Sequence, residues 1–292
     1  FAYLPMTNSA VYIKGTGATY PVWDFKGSRP LVRTMTVTPA GATSYTFTYR
    51  YQNARVHAQG RAFLGMGARQ TTDSRNGVYT LETFSQTFPY IGAPLSTTIK
   101  QSSAGNTIQA QTHTYQHHVL DATTSNQRYL PYRSQTVTNG YEVGGIRDGS
   151  HITQVTETHT VNTWGNSTFV SVDVKDMDAL SLETGQTYRT EVTSTFVQDA
   201  TSWCIGPPLT RSEKRILPDG TNTTRAASWV VPPAECRVTQ ETIQPGGGSL
   251  LSLVTDLGYD ICGNLYTVTS QPAGTTGQSR TTQINHGSRC QR

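Results

Sequence analysis

Residues 60–84, GRAFLGMGARQTTDSRNGVYTLETF, hold the glycine spacing closest to a phosphate-binding loop. Gly60 and Gly65 stand as in Gly-x-x-x-x-Gly, the pattern whose backbone N–H groups cradle phosphates ahead of a Lys and a Ser or Thr. Here Met66 occupies the Lys position, no hydroxyl follows it, and no helical periodicity comes after. Nothing is left to hold a β- or γ-phosphate. A structural reading accounts for each residue: Phe63 and Leu64 pack inward, while Gly60 and Gly65 permit a close approach or a bulge. Asn76-Gly77 then closes a tight type I′ hairpin turn between residues 68–74 and 78–84.

Other catalytic templates are equally bare. The chain has no Gly-x-Ser-x-Gly, His-Glu-x-x-His, Gly-x-Gly-x-x-Gly or acidic calcium loop. A glycosidase would need two carboxylates about 5–10 Å apart, and the sequence singles out no such pair. His113, His117 and His118 cluster in THTYQHH. On a strand, however, His113 and His117 lie about 13 Å apart at about 3.3 Å per residue, and His117 and His118 face opposite ways. That spacing predicts packing histidines and no metal site. Cys204, Cys236, Cys262 and Cys290 fit either two disulfides of an exported protein or four inert buried thiols. No cofactor is implied.

These residues must be positioned by strands. Hydrophobic residues make up only 35% of the chain and charged ones 14%, with 15 Tyr and Thr recurring beside Val, Tyr and Phe, a half-buried β composition. Residues 34–39, 44–51, 78–84, 152–161, 167–174 and 187–197 alternate with period two, as strands wet on one face do. Turn residues separate them at Pro39-Ala40-Gly41, Asn76-Gly77, Asn139-Gly140, Thr184-Gly185, Pro218-Asp219-Gly220 and Gly246-Gly247-Gly248. The order predicts an all-β, extended antiparallel meander. Residues 173–185 show a brief helical spacing, short enough to be a turn. Glycine-containing linkers at 140–150 and 244–249 read as loops, so residues 1–292 are taken as one continuous segment, with a subdivision near 145 (1–145 and 146–292) as the alternative.

A weak internal repeat adds a physical rule. Residues 161–170, VNTWGNSTFV, and 259–268, YDICGNLYTV, share Asn/Asp-x-x-Gly-Asn before a strand ending in Val. An Asp or Asn side chain caps the turn it opens, Gly suits the fourth position, and the next Asn tolerates left-handed dihedrals.

The net charge of +4 and pI of about 8.9 come from scattered basic residues. A nucleic-acid reader clusters them on one stripe, so nucleic acid is not an expected partner. No apolar run reaches the roughly 18 residues of a membrane span. The start, FAYLPMTNSA, lacks an initiator Met and a signal-peptide pattern, and is expected to be cut from a longer chain.

Residues 60–95 resemble the Gly-Arg-Gly-Phe-Leu-Gly-Phe segment, Thr-rich strand pair and Gln-x-Phe-Pro-Tyr-x-Gly-x-Pro of bacterial RHS/YD-repeat proteins and the related Tc-toxin B components. The matching positions are Gly60, Arg61, Phe63, Leu64, Gly65, Phe88, Pro89, Tyr90 and Gly92. Residues 49–59, 163–172 and 201–214 support the likeness in order. Residues 259–270 are similar to one YD repeat, through Tyr259, Asp260, Gly263 and Asn264. Ala62 stands where the family usually has its second Gly, and Met66 where it has an aromatic. The Asp-Pro-rich self-cleavage segment of many RHS cores is not found here, so the resemblance assigns this segment neither self-processing nor toxicity.

The resemblance implies part of a curved or spiral β-shell, non-enzymatic, secreted or at the cell surface. Its partners would be an enclosed toxin polypeptide or other segments of the same longer chain. The competing reading is a cell-surface adhesion or glycan-binding β module, which would gather Trp23, Trp164, Trp203 or Trp229 with polar partners in one exposed groove.

Overall fold

The computed structural model describes residues 1–123, 127–247, 251–274 and 278–286. Cys290 and the last glycine of Gly246-Gly247-Gly248 lie outside them. The described residues form twenty-one strands and one 3-10 turn, Gly145–Arg147. Every strand expected from period-two alternation is present. Of residues 173–185, where a brief helical spacing is read, 173–176 complete the strand Ser167–Asp176 and 177–185 are turn and coil. Among the described residues no helix is long and apolar enough to cross a membrane.

Contacts divide the chain into two compact units, residues Phe1–Glu157 with Val174–Gln186, and Thr158–Asp173 with Thr187–Arg292. In the first, Tyr45–Gln52 is the hub. One of its edges pairs antiparallel with Ala68–Asp73, and its other edge is shared between Pro30–Val37, antiparallel, and the short Tyr12–Ile13, parallel. The order continues outward from Ala68–Asp73 through Tyr79–Phe84, Pro94–Lys100 and Thr107–Asp121 to Arg128–Tyr141, antiparallel at each step. A second, three-stranded sheet joins Val22–Asp24, Arg55–His57 and Ala62–Gly65.

Met6, Val11, Tyr12 and Ala54 form the buried cluster of this unit, with Phe25, Phe63 and Met66 packed on it. Tyr12 is 1% exposed, and its hydroxyl must therefore be satisfied internally. It donates to the Phe25 carbonyl at 2.6 Å and accepts the Ala54 N–H at 3.0 Å, which ties the two sheets of this unit together. Burial pushes its pKa up.

The second unit is a simple meander. Thr187–Asp199, Cys204–Ile216, Asn222–Val230, Gln240–Ile243, Leu253–Tyr259, Leu265–Pro272 and Arg280–Gln283 each pair antiparallel with the next. Its small buried cluster is Val197, Cys204 and Val231. Cys204 is bonded to Cys236 across 32 residues, pinning the loop 231–239 to the neighbouring strand. The pairing decides between the two cysteine readings for these residues, and no described cysteine is free.

The hairpin at Asn76-Gly77 exists, but its turn is not type I′. Thr72 pairs with Tyr79, and Asp73 N–H bonds the Val78 carbonyl, so the loop has four residues. Gly77 has φ 75°, while Asn76 is not at positive φ. The longer loop is selected by Asp73, whose carboxylate accepts the Arg75 backbone N–H at 2.9 Å and grips the Arg75 guanidinium at 2.6 Å. That guanidinium in turn lies 4.1 Å over the Tyr45 ring.

Two outcomes follow for stability. Gly77→Val places a β-branched residue at left-handed φ with no steric clash beyond it, so urea unfolding should show a loss of about 1–2 kcal/mol. Removing the Cys204–Cys236 bond by double substitution to Ala frees a long loop in the unfolded chain, and the same measurement should show a loss of about 3–4 kcal/mol.

Candidate functional site

The residues singled out by the family resemblance fall into two built features, one in each unit. In the second unit, Asp260 opens the hairpin between Leu253–Tyr259 and Leu265–Pro272. Its Oδ1 accepts the backbone N–H of Cys262 and of Asn264, both at 2.9 Å, and its Oδ2 accepts the Asn264 amide at 3.1 Å. Gly263, at φ 82°, donates its N–H back to the Asp260 carbonyl at 3.0 Å. Tyr259 leaves the loop in the other direction. Its hydroxyl donates to the Val238 carbonyl at 2.7 Å, and the Arg237 guanidinium lies 4.5 Å over its ring.

The other copy of the repeat has the same geometry. Asn162 Oδ1 accepts the N–H of Trp164 and Asn166, each at 3.0 Å, and Gly165, at φ 89°, donates to the Asn162 carbonyl. Both copies therefore use one acceptor oxygen to collect two loop N–H groups and one glycine to turn the chain. The repeat is a recurring turn mechanism, although in the 162–166 copy the Asn162 and Asn166 amide nitrogens are buried without a hydrogen-bond partner.

In the first unit the two halves of the long motif, far apart in sequence, meet. Gly60 turns the hairpin between Arg55–His57 and Ala62–Gly65, and Gly65, at φ 90°, sits at the bulge opposite Arg55. Leu64 is buried, and Phe63 packs edge-on against Phe25 at 6.1 Å. Gln86 then reaches across: its amide donates to the Gly65 carbonyl at 2.9 Å and to the Asn53 carbonyl at 2.7 Å. Ser85 closes the loop 85–93 by accepting the Gly92 N–H and donating to Ala93.

Arg61 lies 3.6 Å over the Phe88 ring. Arg61, the only cation of residues 60–67, is thus an exposed stacking partner, worth about 0.5–1 kcal/mol. Ala62, where the family usually has Gly, is held at φ 52°. This is a left-handed conformation that an Ala side chain resists. A strand, Ala68–Asp73, follows the motif where a phosphate loop would launch a helix.

Phe88 and Tyr90 anchor an aromatic cluster. Phe88 meets Tyr129 edge-on at 5.2 Å, Tyr90 meets Tyr115 at 5.8 Å, and the Tyr90 hydroxyl bonds His117 Nδ1 at 2.6 Å. His118 points away and stacks on Tyr132 at 5.4 Å, while His113 bonds Thr136. The three histidines are packing groups, and among the described residues no three His, Cys, Asp or Glu side chains are grouped as metal ligands. Sequence reasoning did not find the Arg61–Phe88 stack or the Gln86 bridge, because both join positions more than twenty residues apart with no periodic signal.

Of the four tryptophans, two come together within one unit. Trp164 and Trp203 meet edge-on at 6.3 Å in the second unit, both exposed. Trp229 is partly buried against the Val197 cluster and donates its indole N–H to Glu241. Trp23 belongs to the first unit.

With the geometry in place, known proteins can be compared. No family model and no curated protein matches this chain. Solved structures do. The chain is similar to the structure of TcdB2-TccC3, with TM-score 0.54 at 11% identity over 68% of this chain. Its fold resembles that of TcdB2-TccC3. The same likeness recurs in the TcdB2-TccC3 structure without its hypervariable C-terminal region, with TM-score 0.53 at 10% identity, and in the TcdB2-TccC3-TEV structure, with TM-score 0.51 over 78% of this chain. The chain spans 15% of the length of these chains. The resemblance to the shell region of Tc-toxin B components, read from residues 60–95 and 259–270, therefore holds at the level of fold.

The repeated turn yields a pH-dependent outcome. The Asn264 N–H, the Asn264 side chain and the Cys262 N–H hold the Asp260 carboxyl below the ordinary carboxylate range, against an opposing push from burial. A carboxyl lowered in the folded state adds stability in full above the unfolded value of about 3.9, and that stability is lost as pH falls through the folded value. Asp260→Asn reproduces the acceptor that Asn162 supplies in the other copy. In urea unfolding at neutral pH it should cost less than Asp260→Ala, and between pH 5 and 2 its stability should fall less steeply than the parent's.

Proposed function

We propose that this chain is a non-catalytic structural segment of an RHS/YD-repeat, toxin-type protein, forming part of the wall of a hollow β-shell that encloses a toxic polypeptide. The observation that carries the reading is the fold likeness to TcdB2-TccC3 over 68% of the chain. The two-copy Asp/Asn-x-x-Gly-Asn turn and the meeting of residues 60–65 with residues 86–92 support it, because they are the residues on which the family resemblance rests.

The physical character of the chain suits a wall. Both units have small buried clusters, and most strand positions are half-buried on either face. Hydroxyl pairs such as Thr83–Ser96, Thr195–Thr210 and Thr255–Ser270 run across neighbouring strands. Such a sheet can be wet on both sides. The Cys204–Cys236 bond supports export, since disulfides persist in oxidising compartments.

The test uses the longer protein that carries this segment. Its enclosed polypeptide should resist protease in the native assembly and be cut at the rate of the free polypeptide once the assembly is unfolded with denaturant. Cleavage of that polypeptide at the free rate in the native assembly would refute enclosure, and robust turnover of a substrate by the segment would refute the non-catalytic role.

A further inference from the structure

In the first unit two cavities share one exposed tryptophan, Trp23, in their walls. The first, of about 550 Å³, is lined by Lys14, Tyr20, Trp23 and Asp24 among others, and the second, of about 360 Å³, by Lys14, Trp23, Lys26 and His57. Both volumes lie in the range of small-ligand sites, about 300–1,000 Å³. Trp23 is 61% exposed although it stands in the strand Val22–Asp24 beside Val56. An indole ring held by a sheet and left open to solvent is a rigid, flat stacking surface.

The polar groups around it are Lys14, Thr16, Tyr20, Asp24, Lys26 and His57, two lysines against one acid. Asp24 is the one acid lining either cavity, and it is already engaged: Oδ2 accepts the Ala18 N–H at 2.8 Å, and Oδ1 faces Arg55 Nε at 3.3 Å. Lys14 and Lys26 make no ion pair within 4 Å among the described residues. The Gln59 backbone N–H donates to His57 Nδ1 at 3.1 Å, so the neutral ring carries its proton on Nε2 and offers it as a donor. With Asp24 engaged by Ala18 and Arg55, the rim is left with the charge of two lysines, which favours an anion.

We infer that the paired cavities around Trp23 bind an anionic saccharide, with a sugar ring stacked on the indole and its carboxylate or sulfate held by Lys14 and Lys26. Two compartments sharing one aromatic wall suit successive units of an oligosaccharide. An acidic peptide fits less well. Peptides commonly add as a strand to an open sheet edge, whereas the first cavity is walled by the Trp23 ring and by Lys14, Gly15, Thr16 and Ala18, with the Ala18 N–H bonded to Asp24 Oδ2 at 2.8 Å. The inference does not depend on the shell reading, since it concerns residues that the family motifs leave out.

The test is titration of the 292-residue chain with a galacturonate oligosaccharide and a chondroitin sulfate oligosaccharide, read by tryptophan fluorescence and calorimetry. Saturable binding of either is expected, weakening as salt rises. Affinity should drop at least tenfold both in Trp23→Ala and in the Lys14→Gln/Lys26→Gln double variant. Thermal unfolding of the lysine variant should match the parent, and Trp23→Phe, which keeps a ring in the strand, should recover part of the affinity. Absence of saturable binding by both probes, or binding unchanged in the lysine variant, would overturn the inference. A maltotetraose control binding as tightly would remove the anion requirement and with it the proposal. A Glu-rich peptide binding tighter than both sugars, through the same residues, would replace it with an acidic-peptide site.

Discussion

A sheet that is wet on both faces cannot lean on a core, so its stability rests on strand-to-strand hydrogen bonds and on the turns that set their register. That constraint governs this chain. Its two buried clusters hold a handful of residues each, whereas strands as long as Thr107–Asp121 and Thr187–Asp199 run beside equally long neighbours. A one-residue slip would exchange the two faces of a strand. With both faces half-polar the hydrophobic pattern alone resists such a slip only weakly, and the turns must do so instead. The carboxylate or amide caps at Asp73, Asn162, Asp219 and Asp260 do this by fixing the loop backbone on side-chain oxygens.

The first unit adds a second device, long-range bridges between loops. Tyr12 joins the Phe25 carbonyl to the Ala54 N–H, Gln86 joins Asn53 to Gly65, and Arg61 stacks on Phe88. Each satisfies backbone groups or covers apolar surface where the small three-stranded sheet meets the larger one. Left-handed φ at Ala62 is tolerated in that setting because the flanking residues are fixed on both sides, Leu64 by burial and Gly60 by the hairpin turn. The second unit replaces such bridges with a covalent one, Cys204–Cys236.

Much of this was legible in the sequence, for reasons that are local. Period-two alternation located six strands, Thr187–Asp199 among them, since it depends only on which face each residue takes. It did not mark Thr107–Asp121, Arg128–Tyr141 or Cys204–Ile216, and Asn139-Gly140, read as a turn, lies inside Arg128–Tyr141. Asp/Asn-x-x-Gly-Asn located its turns, since cap and glycine lie within five residues. The type I′ expectation at Asn76-Gly77 failed one step beyond that range. Asp73 and Arg75, outside the dipeptide, hold a four-residue loop in which Asn76 is not at positive φ. The parallel pairing of Tyr12–Ile13, the choice of Cys236 for Cys204 and the cavities at Trp23 depend on residues brought together by the tertiary fold, and no pattern along the chain announces them.

The same locality explains how the fold likeness to TcdB2-TccC3 coexists with 11% identity. A packed core restricts its residues by volume, so large divergence usually requires coordinated repacking. A ladder-built sheet asks less: a strand position needs only to tolerate a half-buried pleat, and a turn needs one acceptor and one residue free to take positive φ. The chain shows that latitude within itself. Asp260 and Asn162 differ in charge, and Cys262 and Trp164 differ in almost every property, yet the two loops make the same pair of backbone contacts at nearly the same distances. Where the constraint is met by a single oxygen and a single glycine, the remaining residues can change without moving the backbone.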